Sequence, residues 1–210
     1  MYDLFTWSTP NGRKVSIMLE ELKVEYEVHP INILKDEQFG KEFLQISPNN
    51  KIPALFDREN ETSLMESGAI LLYLAEKHAQ FIGNNESDRW MIMQWLMWQM
   101  GGFGPMLGQA HHFVHFNPEK SDYARQRYSK EAERLYGVLD KRLGESAYLG
   151  GAEYSIADIA TWPWVARHEW QGVTINDYEN VLRWYKEIAL RPAVQKGYVV
   201  PNPADIPIPE

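Results

Sequence analysis

The sequence predicts an α/β unit built on a four-stranded mixed sheet, followed by an all-helical unit. Residues 1–82 alternate short apolar runs with amphipathic segments in the order β-α-β-α-β-β-α. A polar break, GNNESD (Gly83–Asp88), follows, and beyond it no segment has convincing strand character. The β-α-β opening implies a parallel crossover pair and the later β-β an antiparallel hairpin, so the sheet is mixed, with helices on its faces.

Tyr2–Trp7 is apolar enough for a buried strand. From Asn11 to Lys23, Val15, Met18, Leu19 and Leu22 fall at i, i+3, i+4 and i+7, one face of a helix. Glu25–Ile33 reads as a second strand, with Pro30 marking an edge or a strand end. Asp36–Ile46 reads as one short helix turning Phe39, Phe43 and Leu44 inward, and two apolar runs around the polar turn Asp57–Ser63 read as a hairpin. Ser67–His78 is so apolar that it should be buried on most sides.

The helical domain is expected over 88–200, with helices near Asp88–His115, Pro118–Leu143, Ser155–Glu169 and Asp177–Leu190. Ser155-Ile-Ala-Asp158 has the form of a capping box with Asp in place of Glu; losing such a cap costs about 1 kcal/mol. Pro163 should kink its helix, since it has no N–H to donate. Residues 201–210, PNPADIPIPE, are too rich in proline for regular structure.

Composition narrows the function. A chain of 210 residues with 44% hydrophobic content can bury a substantial core. Its 21 basic and 29 acidic residues give −8 without a basic block, which argues against nucleic acid and anionic membrane as partners. No run approaches the roughly 18 apolar residues of a membrane span and no signal peptide is evident, so a cytoplasmic location is expected. There is no cysteine, so any thiol chemistry must use a thiol brought by a ligand.

Three places in the first unit could bind a ligand. The turn Ser8-Thr9-Pro10-Asn11-Gly12 opens a helix N-terminus, where free N–H groups favour anions; Ser8, Thr9 or Asn11 could equally serve only as the cap. In SPNNKIPAL, Ile52–Pro53 is a candidate cis bond that would turn the Ile52 backbone outward to pair with a peptide, and a plain tight turn is the simpler reading. In ESGAILLYL, Ser67 is a natural N-cap, and Glu66 sits where a cap needs no acid. An α-amino acid head group would explain both, its carboxylate on Ser67 and the helix end, its ammonium on Glu66.

In the helical half, His111 and His115 lie four apart, but no His-Glu-x-x-His pattern or nearby acid accompanies them. They read as surface or cleft histidines without a metal. Met106, Leu107 and Phe113 could line an apolar cleft or belong to the core, the Trp95/Trp98 and Trp162/Trp164 pairs read as packing, and Arg125 and Arg127 as ordinary helix-surface charges.

NNKIPAL and ESGAILLYL in the first half, with YSIADIATWPW in the second, resemble the cytosolic glutathione transferases over residues 1–195. TPNGRK, SPNNKIPAL, WQMGGFGPMLGQAHHF and YLGGAEYSIADIA are similar to the bacterial nu class, glutathione-dependent disulfide-bond oxidoreductases whose fungal relatives include a transcriptional co-regulator. The resemblance implies a thioredoxin-like glutathione-binding domain at 1–82 and an all-helical bundle. It implies that Thr9 and Asn11 face the glutathione sulfur in place of a Tyr, Ser or Cys. Gln38 would reach the glycyl end, the Ile52 backbone the cysteinyl unit, and Glu66 and Ser67 the γ-glutamyl head. Arg127 would reach glutathione across a homodimer interface.

Glutathione is then the co-substrate and a small disulfide its partner, with no metal. Two alternatives accompany this expectation: conjugation of glutathione to apolar electrophiles at Met106, Leu107 and Phe113, and a non-catalytic glutathione-binding or interaction module.

Overall fold

The computed structural model describes residues 1–209, which fall into two units: Met1–Gln80 together with Leu190–Ile206, and Phe81–Ala189 together with the tail from Pro207. In the first unit the sheet runs β2-β1-β3-β4. Strand β1 (Tyr2–Thr6) pairs in parallel with β2 (Tyr26–Pro30) and antiparallel with β3 (Ala54–Asp57), and β3 returns as β4 (Thr62–Met65) in a hairpin. Pro30 closes edge strand β2, opposite Thr6, where its missing N–H costs no ladder bond.

Helix α1 (Pro10–Leu22) connects the parallel pair. Thr9 caps it: its backbone is extended and its Oγ1 accepts from Gly12 N–H at 3.1 Å. At the other end Lys23 takes the left-handed conformation and closes the last turn on Glu20 O. Val15, Met18, Leu19 and Leu22 bury against the sheet as their spacing predicts. Burial does not stop there, since Arg13, Lys14, Ser16 and Ile17 are also buried.

Arg13, Ser16 and Ile17 are covered by helix α9 (Pro192–Tyr198), part of a segment the sequence places with the helical domain but which packs on α1. Gly197 permits the approach, because a Cβ there would come within 2.6 Å of the Ile17 backbone. Arg13 Nε donates to Tyr198 O at 3.1 Å with its guanidinium 3.6 Å over the Tyr198 ring, and Arg191 is ion-paired with Glu21.

The single helix expected over Asp36–Ile46 is instead two 3₁₀ turns, Ile33–Lys35 and Glu37–Phe39, and a short α2 (Lys41–Ile46). Gly40, extended at φ −60° and ψ 137°, interrupts them. Phe43 is buried as expected, but Phe39 is exposed because that break takes it off the buried face. Helix α3 (Ser67–His78) completes the unit, with Ile70, Leu71 and Leu74 fully buried.

The second unit is helical: α4 (Glu86–Trp98), α5 (Gly104–Ala110), α6 (Asp122–Glu145), α7 (Ile156–Val165) and α8 (Glu179–Ala189). The long helix expected from Asp88 to His115 is broken by π-helical segments Gln99–Phe103 and His111–Phe116 on either side of α5. Every residue of α7 is buried, and its capping box forms. Asp158 accepts from Ser155 N and Oγ, Leu149 N and Trp184 Nε1, all at 2.9–3.0 Å. Residues 203–209 have no regular structure, and Tyr185 OH donates to Pro207 O at 2.6 Å. No helix among the described residues is long and apolar enough to cross a membrane.

Candidate functional site

The register of the sheet gathers the candidate segments at one edge. Phe5 of β1 faces Ala54 of β3, and Ala54 faces Met65 of β4. The turn after β1, the Ile52–Pro53 step before β3 and Glu66–Ser67 after β4 therefore emerge at the same end of three adjacent strands. β2 ends there too, since Thr6 faces Pro30 and Ile31 N–H donates to Thr6 O at 2.9 Å. The excursion that carries Gln38 begins from that point.

At the turn, the question left open by the sequence resolves in favour of Thr9 as cap. Accepting from Gly12 uses one lone pair of its hydroxyl and leaves the proton available for donation. Asn11 is the second residue of the helix and is half-buried, and Ser8 accepts from Asn202 Nδ2 at 3.0 Å. Gly12 is required, because a Cβ there would collide with Trp7 O and Thr6 Oγ1.

Ile52–Pro53 is cis. Among the described residues nothing bonds to the Ile52 N–H or C=O, just ahead of β3. Gln38 Oε1 is buried without a partner, while its Nε2 lies 3.4 Å from Asp36 Oδ1.

Glu66 and Ser67 differ from the expectation in one respect: Glu66, not Ser67, occupies the cap position of α3, and it offers no side-chain cap bond. Its backbone sits at φ 69°, ψ 113°, outside even the left-handed helical well, a conformation costing about 1–3 kcal/mol in a residue with a Cβ. The exposed carboxylate is thereby held beside the open N-terminus of α3. Ser67 turns inward instead of capping because its Oγ accepts from Lys14 Nζ at 3.2 Å.

Lys14 went unrecognised in the sequence. It is fully buried, and burial draws its ammonium down to about 7, with the Glu66 carboxylate pulling the other way. One feature of the sequence bears on it: Lys14 lies next to the apolar stripe, on a face that reads as solvated unless a distant segment covers it.

In the helical unit, Arg127 lies on α6 and lines a cavity of about 530 Å³ with Met106, Tyr123, Tyr128, Lys130 and Arg134. Arg134 is forked onto Glu131 at 2.8 and 2.7 Å, and Arg125 pairs with Asp122. Of the three residues that could line an apolar cleft or belong to the core, Leu107 belongs to the core, whereas Phe113 stacks on Tyr128 at 5.6 Å.

His111 is buried and neutral. It accepts from Gln171 Nε2 and stacks on Trp164, and burial, with Arg167 and His115 nearby, lowers it to about 4. His115 stacks on Trp170 at 4.6 Å. The group of potential metal ligands among the described residues is elsewhere, at Asp3, Glu27 and His29. Arg58 spans it with bonds to Asp3 and Glu27, and holds the Asp3 carboxyl below its ordinary range.

A β-α-β-α-β-β-α sheet domain with a cis proline leading into its third strand, followed by a helical bundle, defines a class. Models of the glutathione S-transferase N-terminal and C-terminal domains match residues 2–76 and 103–192. The chain belongs to the glutathione S-transferase family.

Within it, the chain is 50% identical over 198 residues, 92% of each sequence, to the disulfide-bond oxidoreductase YfcG of Escherichia coli (strain K12). It is 42% identical over 213 residues to YghU of the same organism, also named a disulfide-bond oxidoreductase, covering 94% of this chain and 74% of that one. A solved glutathione transferase from Burkholderia graminis, with two glutathione molecules bound per subunit, superimposes with a TM-score of 0.90 at 42% identity, covering 97% of this chain and 89% of that one. A transferase from Pseudomonas putida, with one glutathione disulfide bound per subunit, gives 0.89 at 42% identity, over 96% and 92%.

Proposed function

We propose that this chain is a glutathione-dependent disulfide-bond oxidoreductase whose nucleophile is the bound glutathione thiolate. The observation that carries the reading is the Ile52 backbone, unbonded among the described residues, at the same sheet edge as the Thr9–Asn11 turn and the strained Glu66, in a chain without cysteine. The γ-glutamyl ammonium pairs with Glu66, and its carboxylate lies on Ser67 and the α3 N-terminus. The Ile52 N–H and C=O pair with the cysteinyl unit as an added strand would. Gln38 reaches toward the glycyl end. The sulfur then lies at Thr9 and Asn11, over the N-terminus of α1.

That environment stabilises a thiolate. The helix end contributes about 0.3–1 kcal/mol and a charge-assisted hydrogen bond about 1.5–3. Together they lower a thiol from about 8.5 by roughly 1–3 units at 1.36 kcal/mol per unit. The thiolate attacks one sulfur of a small disulfide RSSR, forming GSSR and releasing RS⁻, which takes a proton from solvent. A second glutathione thiolate attacks GSSR, giving glutathione disulfide and the second RS⁻. Arg127, in a homodimer, supplies a cation from the partner subunit's helical domain.

The test is reduction of bis(2-hydroxyethyl) disulfide by glutathione, coupled to glutathione reductase and NADPH. Turnover well above uncatalysed exchange is expected, and Asn11→Ala should lose about tenfold at pH 7 while recovering at higher pH, as expected for a thiol pKa raised by about one unit. An unchanged pH–rate profile in Asn11→Ala removes Asn11 from the sulfur site. A faster reaction with an aryl halide than with the disulfide would make the chain a conjugating transferase instead.

A further inference from the structure

Lys14 is a buried amine with a polar partner that is itself read as a ligand contact. Its Nζ lies 3.2 Å from Ser67 Oγ, and the side chain has almost no exposure. It reaches Ser67 from below, from α1, while the γ-glutamyl carboxylate would approach Ser67 from solvent.

A protonated lysine has three donors and no acceptor, so it holds the serine hydroxyl as an acceptor and directs the hydroxyl proton elsewhere. A neutral amine has a lone pair. Ser67 can then donate to Nζ and withdraw its proton from any ligand. The two protonation states of Lys14 therefore present two different Ser67 hydroxyls to the α3 N-terminus.

We propose that Lys14 is a positioning residue of the glutathione site, and that occupation of the γ-glutamyl carboxylate position is coupled to proton uptake from solvent at Lys14 Nζ. The inference rests on the reading of Glu66 and Ser67 as the γ-glutamyl clamp.

The neighbouring charges leave Glu66 as the acid that acts on Lys14. On α1 itself, Arg13 turns away to Tyr198 of α9, and Glu20 and Glu21, at the far end of the helix, are bonded to Tyr26 and Arg191. On α3, Glu76, Lys77 and His78 lie at the C-terminal end, with Lys77 held by Asp57 and His78 by Tyr2. Asp3 of β1 is bonded to Arg58 and His29, and α9 adds the cation Lys196.

A ligand carboxylate on Ser67 brings a second negative charge to Glu66's and favours the ammonium form. With the empty site half protonated near pH 7, binding takes up about half a proton there and less in acid, where the ammonium is already present. Above pH 7 affinity falls by up to about tenfold per pH unit, because the proton must be acquired on binding.

The experiment is titration calorimetry of the full chain with S-methylglutathione, whose sulfur carries no proton, in two buffers of different ionisation heat at pH 6, 7 and 8. Uptake of about half a proton at pH 7 is expected in the native protein, with none in Lys14→Met, whose affinity should also be flat with pH. Binding of the native protein without proton uptake overturns the proposal, as does the same uptake in Lys14→Met. The native measurement decides the matter even if Lys14→Met fails to fold. Ser67→Ala separates the two levels: undiminished binding by that variant overturns the clamp reading itself, and the proposal with it.

Discussion

Replacing Asp158 by alanine tests the buried polar centre of the helical unit. The carboxylate accepts four hydrogen bonds, and Leu149, Ser155 and Trp184 are all buried. The Ser155 hydroxyl can rotate to another partner, so three N–H donors are orphaned at about 1–3 kcal/mol each, or about 6 in all. The substitution also removes a carboxylate that burial has pushed up to about 6. Holding it ionised at pH 7 costs about 3 kcal/mol against an ordinary Asp, at 1.36 per unit. The expected net loss is about 3 kcal/mol.

The pH dependence has a definite sign. A carboxyl with a raised folded pKa contributes stability that is complete below its unfolded value of 3.8 and lost as pH rises through 6. The gap between native protein and variant should therefore widen by about 1.3 kcal/mol between pH 7 and pH 5. Urea unfolding followed by tryptophan fluorescence reads this unit directly, since seven of the eight tryptophans lie at positions 90–184 and only Trp7 lies outside. A loss below about 1 kcal/mol, or a gap that narrows on acidification, refutes the assignment of these donors to Asp158.

Two further predictions concern other groups. Glu66→Gly should stabilise the first unit by about 1 kcal/mol in a thermal melt by relieving the positive φ, while weakening glutathione binding at least tenfold; a drop in stability would show that the conformation carries no strain. His111, lowered to about 4 against an ordinary value of 6.5, contributes stability that is complete above 6.5 and lost as pH falls toward 4. The native protein should thus lose about 2 kcal/mol between pH 7 and pH 5 relative to His111→Phe, a difference that paired urea titrations would show or exclude.

Local chemistry explains why much of the fold, and the segments of the candidate site, were legible. The i, i+3, i+4 spacing of α1, the hairpin, and the Ser155–Asp158 box depend on neighbours in sequence, and each forms where its pattern lies. The Thr9 turn and the Ile52–Pro53 step are equally local, although their meeting at one sheet edge depends on register. Gly40, by contrast, broke the helix that Phe39 was expected to share, since an apolar period does not reveal a residue that takes extended backbone.

By itself the sequence determined the order of elements, the two-part architecture, and the requirement that any thiol come from a ligand. Tertiary structure alone decided that α9 folds back on α1, that Lys14 is buried beneath Ser67, that Glu66 carries the strain at the head of α3, and that Leu107 lies in the core. The reason is that burial is non-local. A lysine beside an apolar stripe has the same local pattern whether water or another helix covers it, and here Lys14 is buried against Ser67 at the head of α3, while α9, more than 170 residues further along, closes over its neighbours Arg13, Ser16 and Ile17.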